Sequence, residues 1–550
     1  SPAAASMFVR DLDIDAANNF DILARDLHEK GVVETSRLFR GRVEATDAAH
    51  LKEIAARSLG ADPYHYVHDR QRVARAVATK AEAASQPPLR LAVLGSFNLH
   101  RLEAAWRGEL ATLLPERRIE IYSIPFGQMA KEIVDPGSGL RRFEPQVRVF
   151  CDRLEDMGDD ASAPSTVRRY AELIAKAHAE QGGWTIVHRF AVLSSSRSSV
   201  EVRTTAAMVA ELNAILDASL ATLDQVLWVD VAAEAASHAG PAEDRRLWYL
   251  GRFAFSEEFN RRLARTWTGF VLAALGKTVR VVVVDLDNTM WGGVLGEDGL
   301  AEIRVGGDYP GNAFADFQRA LKKLADRGIA IAVASKNDED LALRAFDELP
   351  SMVLRSGDLG ARRIDWKPKW QNIRQIAEEL NLGLESVMFV DDNPVEREQV
   401  RLNLPAVKIL ELPDDPAGFS AALADSPFLA AALITKEDRQ RVQGYQARRL
   451  RQEEAGKAAN LEDFLTGLDM RLHLQPLDTG NAQRAAQLVQ KTNQFNSTTR
   501  RYSLRDLQQL QKDGADVVVV GLEDRHSPFE NIGLLVLKPE DQHTGLIDLY

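Results

Sequence analysis

Cysteine is almost absent from the sequence, which contains only Cys151 in its 550 residues. One cysteine cannot form an intramolecular disulfide, and no Cys/His cluster with zinc-ligand spacing is present, so a disulfide framework and a structural zinc site are excluded. No apolar run approaches the roughly 20 residues that a membrane-spanning helix needs. The opening segment SPAAASMFVRDLDID lacks the basic and apolar parts of a secretory signal. We therefore predict a cytoplasmic protein with no membrane partner.

Concentrated positive charge is missing as well. The chain has 68 basic and 80 acidic residues, which gives a net charge of −12, and the basic residues are scattered along it. Nucleic-acid binding requires a basic face that contacts phosphates, so nucleic acid is not predicted as a partner. The apolar content of 45% and the charged content of 27% are typical of a globular protein.

Length and residue pattern divide the sequence into four predicted regions. A chain of 550 residues is too long for a single hydrophobic core. Residues 1–85 carry apolar residues at helical spacing, whereas residues 86–275 alternate strand-like and helix-like segments, which predicts a parallel sheet covered by helices. The same alternation defines a third region, residues 276–425. The last region, residues 426–550, begins with a charged helical stretch and ends in VVVVGLED and IGLLVLK, which are typical of paired antiparallel strands.

The third region contains polar residues that directly follow apolar runs, together with one lysine that precedes a helix. These residues are Asp285, Asp287 and Thr289 in VVVVDLDNT, Ser335, Lys336 and Asn337 in VASKN, Lys369 in DWKPKWQNI, and Asp391 and Asp392 in MFVDDN. In a parallel sheet, the carboxyl ends of the strands form the crevice in which ligands bind. The pattern therefore predicts one site at this edge of the sheet.

These residue types suit phosphoryl transfer. Asp285 can attack phosphorus and form an aspartyl phosphate, which divides one difficult step into two. Asp287 emerges on the same side of the strand end, because strand side chains alternate, and it can act as the acid and base. Ser335 can hydrogen-bond a phosphoryl oxygen, and Lys369 can neutralise its charge. We predict these four as the catalytic residues.

Clustered carboxylates require a cation, and Mg²⁺ prefers oxygen ligands and retains room for substrate phosphate. The predicted metal ligands are Asp285, Asp287, Asp391 and Asp392. The predicted phosphate-binding residues are Thr289, Ser335, Lys336, Asn337 and Lys369. Either member of the Asp391–Asp392 pair could bind metal while the other orients Lys369. Lys367 is an alternative to Lys369, which we favour because the helix QNIRQIAEEL that follows would hold it near the strand ends.

The spacing of the motifs predicts an open site. The intervals between Asp287 and Ser335 and between Ser335 and Lys369 are filled once a helix and a strand are placed in each. A large cap domain therefore has no room, which permits a macromolecular substrate. Only WGGVLGEDGL, with Gly292, Gly293 and Gly296, could form a small flap.

The segments VVVVDLDNTMWGGVLGEDGL, SKND, DWKPKWQNI and MFVDDNPVEREQV resemble the FkbH-like branch of the haloacid dehalogenase superfamily. LITKEDRQRVQGYQ and LVQKTNQFNSTTRRYSL extend the resemblance from about Leu89 to the C-terminus. It implies a multidomain α/β protein with a Rossmann-like haloacid dehalogenase core and no large cap. It also implies transfer of a glyceryl unit from 1,3-bisphosphoglycerate to an acyl carrier protein, with loss of phosphate, for polyketide biosynthesis, with the residues above in the roles given.

The region before the core resembles a flavodoxin-like or SGNH hydrolase-like α/β domain. In LAVLGSFNLHRL, Ser96 stands where SGNH hydrolases have an aspartate and Phe97 stands at the position of the catalytic serine. His238 is only a weak candidate for the catalytic histidine. We therefore predict a non-catalytic domain. Cys151 is either an acyl-thioester site or a buried small residue at a strand end, and we favour the second.

The region after the core resembles an N-acetyltransferase-like (GNAT-like) α+β domain, which we expect to be truncated because the sequence ends at Tyr550. Its segment QKTNQFNSTTRR is either a polar turn or a contact for the phosphopantetheine arm of the carrier. The predicted carrier or pantetheine contacts are Asn493, Gln494, Asn496, Arg500 and Arg501. Arg448–Arg449 is a second choice for docking the acidic carrier.

Two other functions remain open at this point. The first is a Mg²⁺-dependent phosphatase that acts on a small phosphorylated metabolite or a phosphoprotein. The second is a non-catalytic scaffold that docks carrier domains, against which the complete set of charged strand-end residues counts.

Overall fold

The structure is a computed structural model of the chain. It describes residues 87–159, 161–193, 199–432, 444–445, 447–449, 451, 460–478, 480–491, 502, 504–539 and 545–549. The predicted helical region 1–85 lies outside the described residues. Contacts divide the chain into two compact units. The first comprises Ser1–Thr278 and Asp425–Leu433, and the second comprises Val279–Ala424 and Ile434–Tyr550.

The first unit contains a five-stranded sheet in the order β2-β1-β3-β4-β5, with all neighbours parallel. This is the order of doubly wound flavodoxin-like folds. The strands are β1 (Leu89–Leu94), β2 (Ile119–Ser123), β3 (Val147–Phe150), β4 (Trp184–Arg189) and β5 (Val226–Asp230). The helices are α1 (His100–Leu113), α2 (Met129–Val134), α3 (Gly139–Phe143), α4 (Ala163–Gln181), α5 (Ser199–Leu220), α6 (Val231–Ala236), α7 (Arg245–Gly251) and α8 (Glu257–Ala274). The parallel sheet matches the sequence pattern, while the relation to SGNH hydrolases stays a prediction.

Buried polar side chains of this sheet lie inside its strands and have internal partners. Arg148 in β3 donates from Nη1 to the carbonyl of Pro145 at 3.3 Å and from Nη2 to the carbonyl of Gly182. His188 in β4 accepts at Nε2 from Trp267 Nε1 at 2.9 Å. Such pairing is what allows polar groups to remain buried.

The second unit contains another five-stranded parallel sheet, in the order β10-β9-β6-β7-β8. Its strands are β6 (Val281–Val284), β7 (Ala330–Ser335), β8 (Ala361–Ile364), β9 (Val387–Val390) and β10 (Lys408–Leu410). Its helices are α9 (Leu295–Asp298), α10 (Gly311–Asp326), α11 (Glu339–Glu348), α12 (Lys369–Glu379), α13 (Pro394–Asn403) and α14 (Phe419–Ala424). The four valines of β6 are fully buried, as expected for a central strand covered on both faces. The predicted α/β core with a parallel sheet is confirmed.

The connections of this sheet are short. Between β6 and β7 lie only α9 and α10, and between β7 and β8 the one α-helix is α11. Residues 279–424, all of which are described, therefore contain no separate cap domain. The segment after β6 instead folds back on itself, because Gly292 pairs with Arg304 and the side chains of Trp291 and Leu295 are buried. Gly293 has a φ of +105°, which strongly favours glycine at this bend.

The last part of the chain forms a four-stranded sheet in the order β11-β12-β13-β14, with antiparallel neighbours. The strands are β11 (Arg471–Pro476), β12 (Asp516–Asp524), β13 (Ser527–Pro539) and β14 (Gly545–Leu549), and the helices are α15 (Leu461–Gly467), α16 (Ala482–Lys491) and α17 (Leu504–Lys512). The predicted pairing of VVVVGLED with IGLLVLK is confirmed by β12 and β13. The likeness to acetyltransferases stays a prediction.

The grouping of residues by contacts differs from the predicted boundary at residue 426 by a few residues, and the domain bounds stay a prediction. Asp425–Leu433 groups with the first unit. Its physical reason is that Arg265 Nε donates to the carbonyl of Asp425 at 2.7 Å and Arg262 forms an ion pair with the Asp425 carboxylate at 3.2 Å. The following described residues group with the second unit, where Arg449 donates to the carbonyl of Leu359 at 2.8 Å.

Among the described helices, none is both long and apolar enough to cross a membrane.

Candidate active site

The carboxyl ends of three adjacent strands bring the predicted site together. Asp285 directly follows β6, Ser335 is the last residue of β7, and Asp391 directly follows β9. Because β6 lies between β7 and β9, these side chains emerge side by side. The amide of Asp285 still donates to the carbonyl of Val390 at 2.9 Å, so the sheet pairing continues up to the first site residue. All three side chains are buried.

Lys369 is the lysine of this site. It begins α12 immediately after Pro368, and its Nζ lies 2.8 Å from Asp285 Oδ1 and 2.6 Å from Asp391 Oδ2. Lys367, by contrast, has a side chain that is 57% exposed and lies 3.4 Å from the Asp365 carboxylate. Of the two lysines, Lys369 is therefore the one that lies among the carboxylates of the predicted site.

Three carboxylates are close enough together to share a cation. One oxygen each from Asp285, Asp391 and Asp392 lies within 4.8 Å of the others. Lys369 forms ion pairs with the carboxylates of Asp285 and Asp391, and one positive charge does not balance the three carboxylates of the group. Oδ1 of Asp285 is buried and accepts no directed hydrogen bond, although Lys369 lies at ion-pair distance. Buried, incompletely neutralised oxygen ligands of this kind suit a hard divalent cation such as Mg²⁺.

Burial and the neighbouring charges also shift the pKa values of the ionisable groups in this cluster. Burial, together with the charge of Asp285, raises the pKa of Asp391 to about 7, although Lys369 opposes the shift. Burial also raises the pKa of Asp392. For Lys369, burial lowers the pKa, but the charges of Asp285 and Asp391 outweigh it and the net pKa is raised, so the ammonium stays charged. A bound cation would favour the ionised form of the carboxyl groups.

Asp287, a predicted metal ligand, lies outside this group of three carboxylates, and its role toward the metal stays a prediction. Its Oδ1 accepts from Trp291 Nε1 and from the amide of Leu295, each at 3.0 Å, and its Oδ2 accepts from Asn337 Nδ2 at 3.0 Å. These donors hold the carboxyl group in one orientation. Burial raises the pKa of Asp287, which suits a group that must both donate and accept a proton.

Three predicted phosphate-binding residues are engaged by other partners. Thr289 Oγ1 donates to Asp392 Oδ1 at 3.0 Å, and the Asn337 amide is bound to Asp287. Lys336 Nζ lies 2.6 Å from Glu396 Oε1. The structure therefore assigns Thr289 and Asn337 to the orientation of carboxylates, and it pairs Lys336 with a carboxylate. The other two predicted phosphate contacts are Ser335, at the end of β7, and Lys369, at the start of α12.

Sequence reasoning missed two residues that support the site. Trp291 orients Asp287 through its indole N–H, and Arg397 donates from Nη1 to the carbonyls of Asp391 and Asp392 at 2.6 and 2.8 Å. Their positions in the motif segments, TMW after DLDN and VER after DDNP, are the only signals that could have indicated them.

The predicted carrier contacts Asn493, Gln494, Asn496, Arg500 and Arg501 lie outside the described residues. Of the second-choice pair, Arg448 donates to the carbonyl of Glu379 at 3.3 Å and Arg449 donates to that of Leu359. Arg449 is thus used in contacts within the second unit, which weakens its case as a docking residue.

The first unit shows a different arrangement at its strand ends. Ser96 Oγ donates to Asp156 Oδ2 at 2.6 Å, so its partner is a carboxylate and not a histidine. Phe97 is buried, and its ring lies edge to face with that of Phe255, with 5.4 Å between the ring centroids.

Cys151 is buried, and its Sγ lies 3.3 Å from the carbonyl of Leu94. Burial raises the pKa of the thiol well above its usual value. This agrees with a packing role for Cys151 and disfavours an acyl thioester.

Residues 300–397, which include Ser335, Lys369 and the acidic pair, match the family model of the haloacid dehalogenase-like hydrolases. The chain contains a haloacid dehalogenase-like hydrolase domain. The chain is also similar to a solved structure, the N-terminal part of the protein BF1531 from Bacteroides fragilis, which contains a phosphatase domain complexed with Mg. The identity is 27%, the TM-score is 0.59, and the match covers 66% of this chain and 99% of that one. Among curated proteins, none matches the chain.

Proposed function

We propose that the haloacid dehalogenase-like domain is a Mg²⁺-dependent phosphatase with Asp285 as its nucleophile. The observation that carries the proposal is the contact of Lys369 with both Asp285 and Asp391 inside a group of three carboxylates. The similarity to a phosphatase domain complexed with Mg supports it. Asp285, Asp391 and Asp392 would hold the cation.

The reaction divides between two aspartates. Asp285 attacks phosphorus, the bond from phosphorus to the leaving oxygen breaks, and Asp287 gives that oxygen its proton. Asp287 then takes a proton from water, which attacks the aspartyl phosphate, so that inorganic phosphate leaves and Asp285 is restored. Lys369 holds the Asp285 carboxylate and lowers the cost of charge on the phosphoryl group. Mg²⁺, when bound, neutralises carboxylate and phosphoryl charge.

The metal requirement is tested by phosphate release from an aryl phosphate. Activity should depend on Mg²⁺, disappear in excess chelator and be inhibited by Ca²⁺, because Ca²⁺ binds the same oxygens with a looser and higher coordination. Full activity in excess chelator would contradict the proposal.

We also propose a more specific reaction, in which a glyceryl unit passes from 1,3-bisphosphoglycerate to the phosphopantetheine thiol of an acyl carrier protein. The thiol attacks the acyl carbon, the bond from that carbon to its phosphate breaks, and this phosphate leaves with the thiol proton. The second phosphate is removed by hydrolysis at Asp285, so that two phosphates are released for each glyceryl unit loaded. The sequence resemblance given above supports this reaction, as does the absence of a cap domain in residues 279–424. The test is intact-protein mass spectrometry of a carrier incubated with the enzyme and the acyl phosphate. A mass increase of one glyceryl unit, with phosphate release, supports transfer. Phosphate release without carrier loading favours the alternative, a phosphatase for a small metabolite or a phosphoprotein.

A further inference from the structure

The side chain of Arg397 contacts main-chain carbonyls of the loop that carries Asp391 and Asp392, two of the proposed metal ligands. It lies near the start of α13, its side chain is buried, and its Nη1 donates to the carbonyls of Asp391 at 2.6 Å and Asp392 at 2.8 Å. Its Nε lies 2.9 Å from Oε2 of Glu411, whose side chain is exposed. A buried guanidinium that contacts two consecutive carbonyls constrains the loop between β9 and α13.

The two carbonyls determine where the adjoining amides point. A trans peptide is planar, so its C=O and N–H point in opposite directions. Since Arg397 holds the carbonyl of Asp391, the amide of Asp392 points away from Arg397, and it donates to Thr289 Oγ1 at 3.1 Å. Since Arg397 also holds the carbonyl of Asp392, the amide of Asn393 points away as well, and it donates to Asp391 Oδ1 at 2.8 Å.

Each of these amides fixes one carboxylate of the metal group. The Thr289 hydroxyl, which accepts from the amide of Asp392, in turn donates to Asp392 Oδ1 at 3.0 Å. The amide of Asn393 binds one oxygen of Asp391 directly, while Lys369 binds the other. Two peptide planes therefore connect Arg397 to both carboxylates, although its guanidinium hydrogen-bonds to neither of them.

We infer that Arg397 is a positioning residue for the divalent cation, because it sets the two peptide planes that orient the Asp391 and Asp392 carboxylates. The inference rests on the proposed role of these carboxylates as metal ligands. Groups that orient ligands in this way typically contribute about 10- to 100-fold to metal affinity.

Arg401 provides a matched control on the same helix. Its side chain forms ion pairs with the carboxylates of Glu398 and Glu411. Glu411 is also the carboxylate that Arg397 contacts. A substitution at Arg401 therefore changes the same surface charge while leaving the two loop carbonyls with their donor.

The test is calorimetric titration of the full chain with Mg²⁺ and with Mn²⁺, in the absence of substrate, for Arg397→Lys, Arg397→Met, Arg401→Lys and Arg401→Met. Lysine keeps the charge but lacks the planar fork of donors that reaches two carbonyls and a carboxylate together. We expect both Arg397 variants to raise the dissociation constant about 10- to 100-fold and both Arg401 variants to change it by less than about threefold. If Arg397→Met fails to fold, Arg397→Lys decides the question.

A purely structural role for Arg397 would give a different result. The melting temperature without metal would then fall in the Arg397 variants, while the dissociation constant would stay close to that of the wild type, and this outcome would overturn the inference. A double-mutant cycle with Thr289→Val sharpens the distinction. If Arg397 acts through the amide of Asp392, which donates to Thr289, the double variant should lose less cation affinity than the sum of the two single variants. Losses that add would contradict a path through this amide.

Phosphate release measured on the same samples separates this inference from the proposed function. A wild-type chain that binds the cation but releases no phosphate contradicts the phosphatase proposal and leaves the role of Arg397 intact. A wild-type chain with Mg²⁺-dependent phosphate release, whose Arg397 variants bind the cation as tightly, contradicts the inference alone.

Discussion

The chain contains two five-stranded parallel sheets whose buried polar residues lie in different places. In the first unit, Arg148, Thr185 and His188 lie within the strands, and Arg148 and His188 are bound by carbonyls and by an indole of the same unit. In the haloacid dehalogenase-like domain, many of the buried polar residues lie at the strand ends, in the residues just after them, or in the first turn of α12. They include Asp285, Thr289, Ser335, Asn337, Lys369, Asn372 and Asp391, while Gln318, Glu396 and Arg397 are buried on other helices.

This difference separates stabilising polar residues from reactive ones. The polar groups inside the strands of the first sheet have neutral partners from the same unit, as His188 has in Trp267 and Arg148 has in two carbonyls. At the strand ends of the second sheet, three carboxylates lie close together with Lys369 between Asp285 and Asp391, and one positive charge does not balance them. A shared parallel scaffold therefore does not imply a shared chemistry, which is decided by the residues at the carboxyl edge.

The largest expected effect is the loss of the nucleophile. Asp285→Asn should abolish phosphate release, at a cost of many powers of ten, each of which corresponds to about 1.4 kcal/mol of barrier. The matched control is Asp156→Asn in the first unit, which removes the carboxylate bound by Ser96 and should leave the rate unchanged. Steady-state phosphate release measures both. A rate near that of the wild type for Asp285→Asn would show that Asp285 is not the nucleophile.

Lys367 and Lys369, which lie on either side of Pro368, give the next test. Lys369→Met should lower kcat about 10²- to 10³-fold, the usual loss when a donor to developing charge is removed, and Lys367→Met should change it by less than about threefold. The reason is that Lys369 Nζ contacts Asp285 and Asp391, whereas Lys367 is exposed and lies near Asp365. Equal losses for the two variants would contradict the assignment.

Much of this site could be predicted from the sequence because it depends on position along the chain. Asp285, Ser335 and Asp391 end or directly follow buried apolar strands, and parallel strands bring such positions to one edge. Lys369 could be predicted because it begins a helix at the same edge. The absence of a large cap followed from the short intervals between motifs.

The remaining features depend on side-chain direction and on contacts between distant segments. Thr289 was expected to bind phosphate, yet its hydroxyl turns to Asp392, which is far from it in sequence. Asp287 was expected to bind metal, and its oxygens accept from Trp291, from Asn337 and from the amide of Leu295, contacts that no local pattern indicates. The attachment of Asp425–Leu433 to the first unit depends on two arginines of α8, and no local pattern indicates such a contact.

The buried histidine of the first unit predicts a pH effect on stability that the strand-end carboxylates do not share. Burial lowers the pKa of His188 from 6.5 to about 3. Between these values the unfolded chain binds the proton more readily than the folded one. The free energy of unfolding should therefore fall as the pH falls below about 6.5, by up to about 1.4 kcal/mol per pH unit.

The measurement for His188 is urea unfolding of the full chain between pH 4 and pH 7, followed by tryptophan fluorescence. His188→Gln retains an acceptor for Trp267 Nε1 but has no titrating group, so its free energy of unfolding should fall less steeply with decreasing pH. Parallel pH profiles for the wild type and the variant would show that His188 does not carry this effect.

The smallest expected effect is at Ser96, the residue that would have to act if the first unit were a second enzyme. Its hydroxyl donates to Asp156, and a hydroxyl bound to a carboxylate lacks the imidazole that would take up its proton during catalysis. Phe97, at the position of the catalytic serine in SGNH hydrolases, is buried in the core and has no nucleophilic group. Ser96→Ala should therefore leave both phosphate release and background hydrolysis of aryl esters unchanged. Ester hydrolysis by the wild type that is lost in Ser96→Ala would mean that both parallel sheets carry an active site.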